Sequence, residues 1–205
     1  MLAIIDYGVG NLFALQSSFQ YIGEPVIVTS DKDRLAAADR LLLPGVGAFG
    51  DAAQKLRDKG LDILLRELAA AGKPLLGICL GMQLLFEKSY EYGEHAGLGL
   101  IQGSVRPIRD MVPAGYKIPH IGWNALHFPK TRAVSPLFKY IHEGDHVYFV
   151  HSYAGADCAG AVIATAQYGT ELTAAVANGR VYGTQFHPEK SGDVGLKILK
   201  AFCEV

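Results

Sequence analysis

The sequence predicts an α/β fold: a single domain with a largely parallel central sheet, flanking helices and additional antiparallel strands in the C-terminal half. Short apolar runs alternate with helix-length segments as far as Cys79, which is typical of parallel sheets. Tight-turn signals then separate the later apolar runs, as in antiparallel hairpins. The 205 residues, 50% of them hydrophobic, suit one compact domain, which we expect to span residues 1–205.

The first part of the chain reads as alternating strands and helices. Turn residues Gly8, Gly10 and Asn11 separate the first strand from the first helix, and Asp31 is placed to cap the second. The predicted strands are Leu2–Asp6, Pro25–Thr29, Arg40–Leu43 and Pro74–Ile78. The predicted helices are Leu12–Tyr21, Asp33–Ala38, Ala48–Lys59 and Leu61–Ala71, the last two being either one interrupted helix or two, and Met82–Lys88.

The later part of the chain reads mostly as strands. Tyr168-Gly169-Thr170 and Asn178-Gly179-Arg180 are hairpin signals. A last helix is predicted at Val194–Phe202, after Gly192. The predicted strands are Leu98–Ile108, Tyr116–Phe128, Asp145–Ser152, Gly160–Gln167, Thr173–Ala177 and Val181–Phe186.

Composition argues against several classes of protein. The formal net charge is -1 and no basic stripe is present, so we expect no nucleic-acid partner. No apolar stretch is long enough for a membrane span, and Met1–Asp6 reads as a strand and not as a signal peptide. The three cysteines are odd in number and widely spaced, which indicates a reducing cytoplasm.

No motif calls for a metal or a cofactor. His142 and His146 are separated by the turn residues Gly144 and Asp145, and no acid or cysteine completes a ligand set. The glycine-rich segment Tyr7–Asn11 lacks the spacing of a phosphate-binding loop. We therefore expect neither a metal site nor a cofactor.

The segment around Cys79 has the pattern of a nucleophile elbow. An apolar run ends in Cys79, and Gly77 and Gly81 stand two residues before and after it. Glycines remove the side chains that collide in a tight strand-to-helix turn. The start of a helix also favours the reactive thiolate. A lone buried structural cysteine is the alternative interpretation.

A second segment supplies a candidate base. His187 precedes Pro188, which favours an extended conformation in which Glu189 shares a face with the imidazole. Glu189 then orients His187, which activates the Cys79 thiol. The backbone N–H of Leu80 is one natural oxyanion donor, and the Pro44–Gly47 loop, through Val46 and Gly47, is a second candidate.

These segments together resemble a known family. Gly77–Gln83 with Gln185–Glu189 is similar to the triad (class I) glutamine amidotransferases. Further segments resemble the glutaminase subunits of imidazole glycerol phosphate synthases: Asp6–Leu12, Pro44–Phe49, Pro119–Asn124, Tyr148–Tyr153 and His187–Ser191. The resemblance runs essentially end to end. Ile121 is a small departure, since many relatives have methionine there.

The resemblance implies a hydrolase within a lyase complex. Cys79 would form a thioester with glutamine, releasing ammonia and then glutamate. The ammonia would pass to a cyclase subunit, a (β/α)8 barrel, in a cytoplasmic heterodimer. That barrel would use it on a phosphoribosyl-formimino carboxamide ribotide in histidine biosynthesis, making imidazole glycerol phosphate and the aminoimidazole carboxamide ribotide.

The resemblance also implies roles for further residues. Glutamine would be held by Gly47, Gln83, Ser152 and Tyr153. The cyclase would be met by Asn11, Pro119, Trp123, Asn124 and Lys190, although Trp123 taken alone also suits a core position.

Two alternatives to this function are a glutaminase serving purine or pyridoxal phosphate synthesis and a non-enzymatic binding relative. The Pro119–Asn124 and Glu189–Ser191 segments argue against the first. The presence of Cys79, His187 and Glu189 argues against the second.

Overall fold

Strands and helices alternate along the chain, which the computed structural model describes over residues 1–205. The strands are β1 (Leu2–Ile5), β2 (Val26–Thr29), β3 (Arg40–Leu43), β4 (Leu75–Ile78), β5 (Phe86–Ser89), β6 (His95–Ala96), β7 (Ile101–Pro107), β8 (His120–Ala125), β9 (His146–His151), β10 (Tyr153–Ala156), β11 (Val162–Tyr168), β12 (Thr170–Asn178) and β13 (Val181–Thr184). The helices are α1 (Leu12–Tyr21), α2 (Lys32–Ala37), α3 (Phe49–Asp58), α4 (Leu61–Ala70), α5 (Leu80–Leu84) and α6 (Gly192–Cys203).

A seven-stranded sheet in the order β11-β12-β13-β4-β3-β1-β2 forms the centre of the molecule. The pairs β1–β2, β1–β3, β3–β4 and β13–β4 are parallel, whereas β11–β12 and β12–β13 are antiparallel hairpin pairs. The predicted fold class is confirmed. In a parallel sheet the carboxyl ends of neighbouring strands meet at one edge, so β3, β4 and β13 deliver their following loops to the same place.

The core lies on both faces of this sheet. In β1, Leu2 and Ile4 pack into one buried cluster and Ala3 and Ile5 into the other, because successive strand residues point to opposite faces. Helices α1 and α6 cover the first face through Phe19 and Phe202, among others. Helices α2 to α5 cover the second. Burial on both faces explains why these strands are continuous apolar runs.

Two smaller sheets flank the carboxyl edge. One has the order β10-β7-β5-β6, and the other pairs β8 with β9 in antiparallel register, His120 opposite His151. These sheets build the walls around the strand ends. No helix of the chain is long and apolar enough to cross a membrane.

The prediction of a helix over Met82–Lys88 is wrong in both bounds. Helix α5 starts at Leu80 and ends at Leu84, and the chain continues as β5, which was missed together with β6 and β10. Glu87 and Lys88 favour helix in isolation. However, β5 pairs with both β7 and β6 and buries Phe86 and Ser89, and this tertiary pairing outweighs local propensity.

Other element boundaries moved by a few residues. The strand predicted at Tyr116–Phe128 is confined to β8, which begins directly after Pro119, a residue that cannot donate to a ladder. The segment left open as one helix or two is two, since Gly60 between them has a left-handed φ of 61°. Both predicted hairpins are present, with Gly169 and Gly179 at positive φ.

Candidate active site

Cys79 occupies a strained turn between β4 and α5. Its φ of 54° and ψ of -111° are rare for a residue with a side chain. The neighbouring glycines permit this geometry: a Cβ on Gly81 would overlap the Leu43 carbonyl oxygen, and one on Gly45 would lie 2.7 Å from the Gly81 nitrogen. Backbone packing against the end of β3 therefore holds the elbow, and the thiol faces a cavity.

His187 and Glu189 come from the loop after β13. His187 Nδ1 lies 2.7 Å from Glu189 Oε1, and both side chains are almost fully buried. The expected contact forms, although not in extended chain: Pro188–Lys190 is a 3₁₀ turn. Glu189 Oε2 is buried and has no partner, so His187 is the neighbour that compensates this carboxylate.

The pKa of His187 is set by opposing effects. Burial on its own lowers the pKa, but the interactions with Cys79 and with Glu189 outweigh it and raise the pKa of His187 to about 9. The imidazole is therefore protonated at neutral pH. It can donate a proton to a group leaving from a carbon attacked by Cys79.

Two glutamines surround the thiol. Gln185 Nε2 lies 3.8 Å from Cys79 Sγ, and its Oε1 accepts a hydrogen bond from Gln83 Nε2 at 3.1 Å. Gln83 Nε2 also donates to the Tyr153 carbonyl at 3.0 Å. Gln185 was not singled out from the sequence as a site residue. Its complete burial, directly before the His187 segment, follows only from the packing around β13.

The thiol opens into a cavity of about 370 Å³. Ten of the residues singled out from the sequence line it: Val46, Gly47, Cys79, Leu80, Gln83, Pro119, Ser152, Tyr153, His187 and Lys190. Three further residues line it, namely Glu91, Val150 and His151. Val150 and His151 belong to the Tyr148–Tyr153 segment singled out from the sequence but were not assigned to the site, and Glu91 was not singled out at all. Glu189 lies behind His187 and outside the lining. The cavity is large enough for an amino-acid-sized substrate.

Glu91 is the only carboxylate of the cavity wall. Its Oε2 accepts a hydrogen bond from the Phe49 N–H at 2.5 Å, so the carboxylate also caps the start of α3. It is suited to bind a cationic group of a ligand. No sequence pattern indicates this role, because Glu91 follows β5, a segment that the sequence predicts as helix.

The Pro44–Gly47 loop forms another wall. Gly47 has a φ of 97°, and the Tyr7 hydroxyl donates to the Pro44 carbonyl at 2.8 Å. Burial, with a smaller effect from Cys79, raises the pKa of Tyr7, which keeps the hydroxyl a donor. The Tyr7 hydrogen bond thus holds the loop at Pro44, and Val46 and Gly47 line the cavity together with Leu80 and the thiol.

The residues expected to meet a partner differ in their relation to the cavity. Pro119 and Lys190 line the cavity, whereas Asn11, Trp123 and Asn124 do not. Trp123 is 54% exposed, so a core position for it is wrong. Its ring meets the edge of Tyr148 at 5.9 Å between centroids, and Lys190 Nζ lies over the same ring. Asn11 is exposed and caps α1 by accepting from the Ala14 N–H.

No group of three or more histidine, cysteine, aspartate or glutamate side chains is arranged to hold a metal ion.

Comparison with known proteins gives a family and close relatives. The family model described as glutamine amidotransferase class-I matches residues 3–204. Imidazole glycerol phosphate synthase subunit HisH of Wolinella succinogenes is 48% identical over 207 residues, which cover 100% of both chains. The subunit of the same name from Bacillus cereus is 48% identical over 203 residues, 98% of this chain and 93% of the relative.

Solved structures share the fold at lower identity. A crystal structure described as a glutamine amidotransferase superposes with a TM-score of 0.74 at 19% identity and 98% coverage of both chains. The structure of PurLQS from Thermotoga maritima gives a TM-score of 0.74 at 21% identity, covering 99% of this chain and 97% of that one.

Substituting Gly81 tests the packing that holds the elbow. We expect Gly81→Ala to lower the free energy of unfolding by about 3 kcal/mol, since its methyl group overlaps the Leu43 carbonyl. Gly160→Ala is the matched control, because nothing lies within 4 Å of a Cβ there, and it should change stability by less than about 0.5 kcal/mol. Urea unfolding measures both; equal effects would contradict the packing argument.

The titration of His187 tests the charge pairing. We expect an NMR midpoint for the imidazole near pH 9, the pKa raised by Cys79 and Glu189. Because the folded pKa lies above the unfolded value, the stability contributed by this pair is complete below about pH 6.5 and is lost as the pH rises through about 9. Glu189→Gln should move the midpoint to lower pH; an unmoved midpoint would show that Glu189 has no such effect.

Proposed function

The chain belongs to the class-I glutamine amidotransferase family, and from that premise we propose that it is the glutaminase subunit of an imidazole glycerol phosphate synthase in histidine biosynthesis. The observation that carries the proposal is a cysteine at a strained elbow, beside a buried His187–Glu189 pair, in a chain 48% identical over its whole length to a subunit of that name. Residues 1–205 form the one glutaminase domain.

In this reaction Cys79 Sγ attacks the side-chain amide carbon of glutamine. The thiol proton resides on His187, which passes it to the leaving nitrogen, so that the C–N bond breaks and ammonia departs. A thioester between Cys79 and the glutamyl group remains. Water then attacks it with His187 as the base, and glutamate and the free thiol are released. Glu189 keeps the His187 ring oriented and stabilises its positive charge.

The negative charge on the tetrahedral oxygen needs donors placed in advance. We assign this role to the backbone N–H of Leu80 and to the Val46–Gly47 segment of the Pro44–Gly47 loop. The support is their position in the cavity wall beside Cys79 and the positive φ of Gly47, which allows two peptide orientations at small steric cost. Tyr7 holds the loop at Pro44, whereas Gly47 at its other end has the positive φ that a second peptide orientation requires.

The amino-acid end of glutamine carries one positive and one negative group. Glu91, the only carboxylate of the wall, is suited to the ammonium group. Gly47, Gln83, Ser152 and Tyr153 line the same cavity and complete the substrate site. Pro119 and Lys190 also line this cavity, outside the set of residues assigned to glutamine.

The partner in this proposal is a (β/α)8-barrel cyclase, joined to the chain as a heterodimer in the cytoplasm. It would dock on the face that comprises Asn11, Pro119, Trp123, Asn124 and Lys190. The half-exposed Trp123 supports this location. Its ring packs against Tyr148, over which Lys190 of the cavity wall lies, and exposed aromatic side chains are enriched at interfaces. Ammonia would leave the cavity on this side and reach the acceptor in the barrel without entering solvent.

Cys79→Ala tests the assignment of the nucleophile. We expect glutamine hydrolysis by the complex to fall to below about 1% of the wild-type rate, since the covalent route loses its nucleophile. Free ammonia should still support the cyclase reaction, which controls for intact assembly. A variant that retains glutaminase activity would overturn the role of Cys79. Loss of the ammonia-dependent reaction would show that Cys79 also supports the structure.

The dependence on the partner is a separate prediction. We expect the isolated chain to hydrolyse glutamine slowly and the ligand-loaded cyclase to raise turnover by at least ~100-fold, the size of one oxyanion donor. The reason is that docking selects one orientation of the Pro44–Gly47 loop. Turnover is measured for the chain alone, with the cyclase, and with the cyclase and its nucleotide. Equal rates in all three conditions would reject the partner-dependent reorientation of the Pro44–Gly47 loop, but would not argue against the proposed catalytic residues.

A further inference from the structure

Two buried histidines beside the cavity have no part in the mechanism above. His120 and His151 face each other across the β8–β9 pair, with His120 Nδ1 2.9 Å from His151 Nε2. At one end, His120 Nε2 lies 2.7 Å from the side-chain oxygen of Asn124. At the other, His151 Nδ1 lies 2.8 Å from the Tyr153 carbonyl. The two rings therefore form a continuous hydrogen-bonded row.

The row continues to the nucleophile. The Tyr153 carbonyl also accepts from Gln83 Nε2, which donates in addition to Gln185 Oε1, and Gln185 Nε2 lies 3.8 Å from Cys79 Sγ. A carbonyl oxygen has two lone pairs and can accept from both His151 and Gln83. Side-chain contacts thus connect Asn124, at the protein surface, to the thiol.

The number of protons on the two imidazole rings limits how many of these contacts can be hydrogen bonds. Carbonyl oxygens stand at both ends, so the three contacts of the two rings need three ring protons. Two neutral imidazoles have only two. Burial lowers the pKa of His151 to about 3, and it also lowers the pKa of His120. Protonated His187 near His151 acts in the same direction. Both rings are therefore neutral at pH 7, and one contact lacks its proton.

The position of that missing proton follows from burial. If it were missing at Tyr153, or between the two buried rings, a nitrogen lone pair would face another acceptor inside the protein, where an unmade hydrogen bond is costly. At Asn124, which is half-exposed, a half-turn of the side-chain amide points its NH2 group at His120 Nε2. The flip also brings the amide oxygen to the place from which the NH2 group donated to the Gln167 carbonyl, 3.0 Å away. At this exposed site the two oxygens must separate so that water can bridge them.

We propose that His120 and His151 are positioning residues, each in its Nδ1–H tautomer, that direct a chain of hydrogen bonds from Asn124 to the Tyr153 carbonyl and so hold Gln83 and Gln185 against Cys79. The inference rests on the proposed glutaminase function. It adds two histidines to that site and gives Asn124 a role besides docking.

The hydrogen bonds of this row can all point toward Tyr153 or all point toward Asn124, and the orientation of the Asn124 amide selects between these two arrangements. With its NH2 toward His120, every bond points inward and the Tyr153 carbonyl is held. With its oxygen toward His120, both tautomers reverse and His151 Nδ1 presents a lone pair to Tyr153. The His120 ring cannot move away from these partners, because it is stacked between Tyr168 and Phe149, with ring centroids 4.1 and 5.0 Å away. A contact with Asn124 at the surface therefore reaches the substrate site.

The first test reads the tautomers directly and does not depend on activity. In the full chain with 15N-labelled histidine, NMR distinguishes protonated from unprotonated ring nitrogens. We expect Nδ1–H and an unprotonated Nε2 for both His120 and His151 at neutral pH. Protonation at Nε2 in either ring, or an imidazolium, would overturn the proposal.

The second test uses two replacements of one ring in the complex with the cyclase. The amide of Asn occupies the place of Nδ1 and the amide of Gln that of Nε2, so His120→Asn keeps the donor to His151 and His120→Gln loses it. We expect His120→Gln to raise KM for glutamine about 10-fold, with a smaller change in kcat, and His120→Asn to stay within about 3-fold of wild type.

A role in packing alone predicts the opposite order, because Gln is closer than Asn to the volume of the imidazole. Equal effects or this reversed order would overturn the proposal. A wild-type complex that does not hydrolyse glutamine would instead reject the proposed function. The tautomer measurement would still decide in which direction the hydrogen bonds between Asn124 and Tyr153 point.

Discussion

The parallel pairing of β4 with β13 ends in a hydrogen bond from the Cys79 N–H to the Thr184 carbonyl, 2.7 Å long. This contact fixes where Cys79, the proposed nucleophile, lies relative to the segment that carries His187, its proposed base. Ile78 lies opposite Thr184 in the register, so Gln185 and His187 leave β13 at the level of the elbow. A slip of one residue would turn each side chain to the other face of the sheet. Burial of both faces makes such a slip costly, and the core thereby sets the geometry of the site.

The site concentrates the polar groups that the protein buries. Gln83, Gln185, His120, His151 and His187 are all buried at the carboxyl edge, next to an apolar core. Each is hydrogen-bonded, and Ser191 adds a link by donating to the His187 carbonyl and accepting from the Tyr148 N–H. Buried polar groups stabilise a fold only when they are paired. This network therefore specifies one arrangement around the thiol, and loss of one member leaves its neighbours unpaired.

Histidines within one site are given different charges by their partners, one positive and one neutral. His187 has Glu189 and Cys79 beside it, and its pKa is raised to about 9. His151 has a carbonyl and another imidazole, and burial lowers its pKa to about 3. One ring is therefore a proton donor for chemistry, whereas the other is a neutral link with a fixed tautomer. The residue type is the same in both, and the difference comes from a single carboxylate and the thiol.

The fold class, the elbow at Cys79 and the contact between His187 and Glu189, the proposed catalytic partners, could all be predicted from the sequence. These depend on local chemistry: glycines that a tight turn requires, apolar runs that a buried parallel sheet requires, and two residues close enough in the chain to meet. The folded structure was needed to show that Phe86–Ser89 is a strand, that Glu91 enters the cavity wall and that His120 meets His151. Those contacts join residues distant in the chain, through sheet pairings whose partners no local pattern specifies. The exposure of Trp123 was decided in the same way, because an apolar strand residue faces either core or solvent according to what covers the sheet.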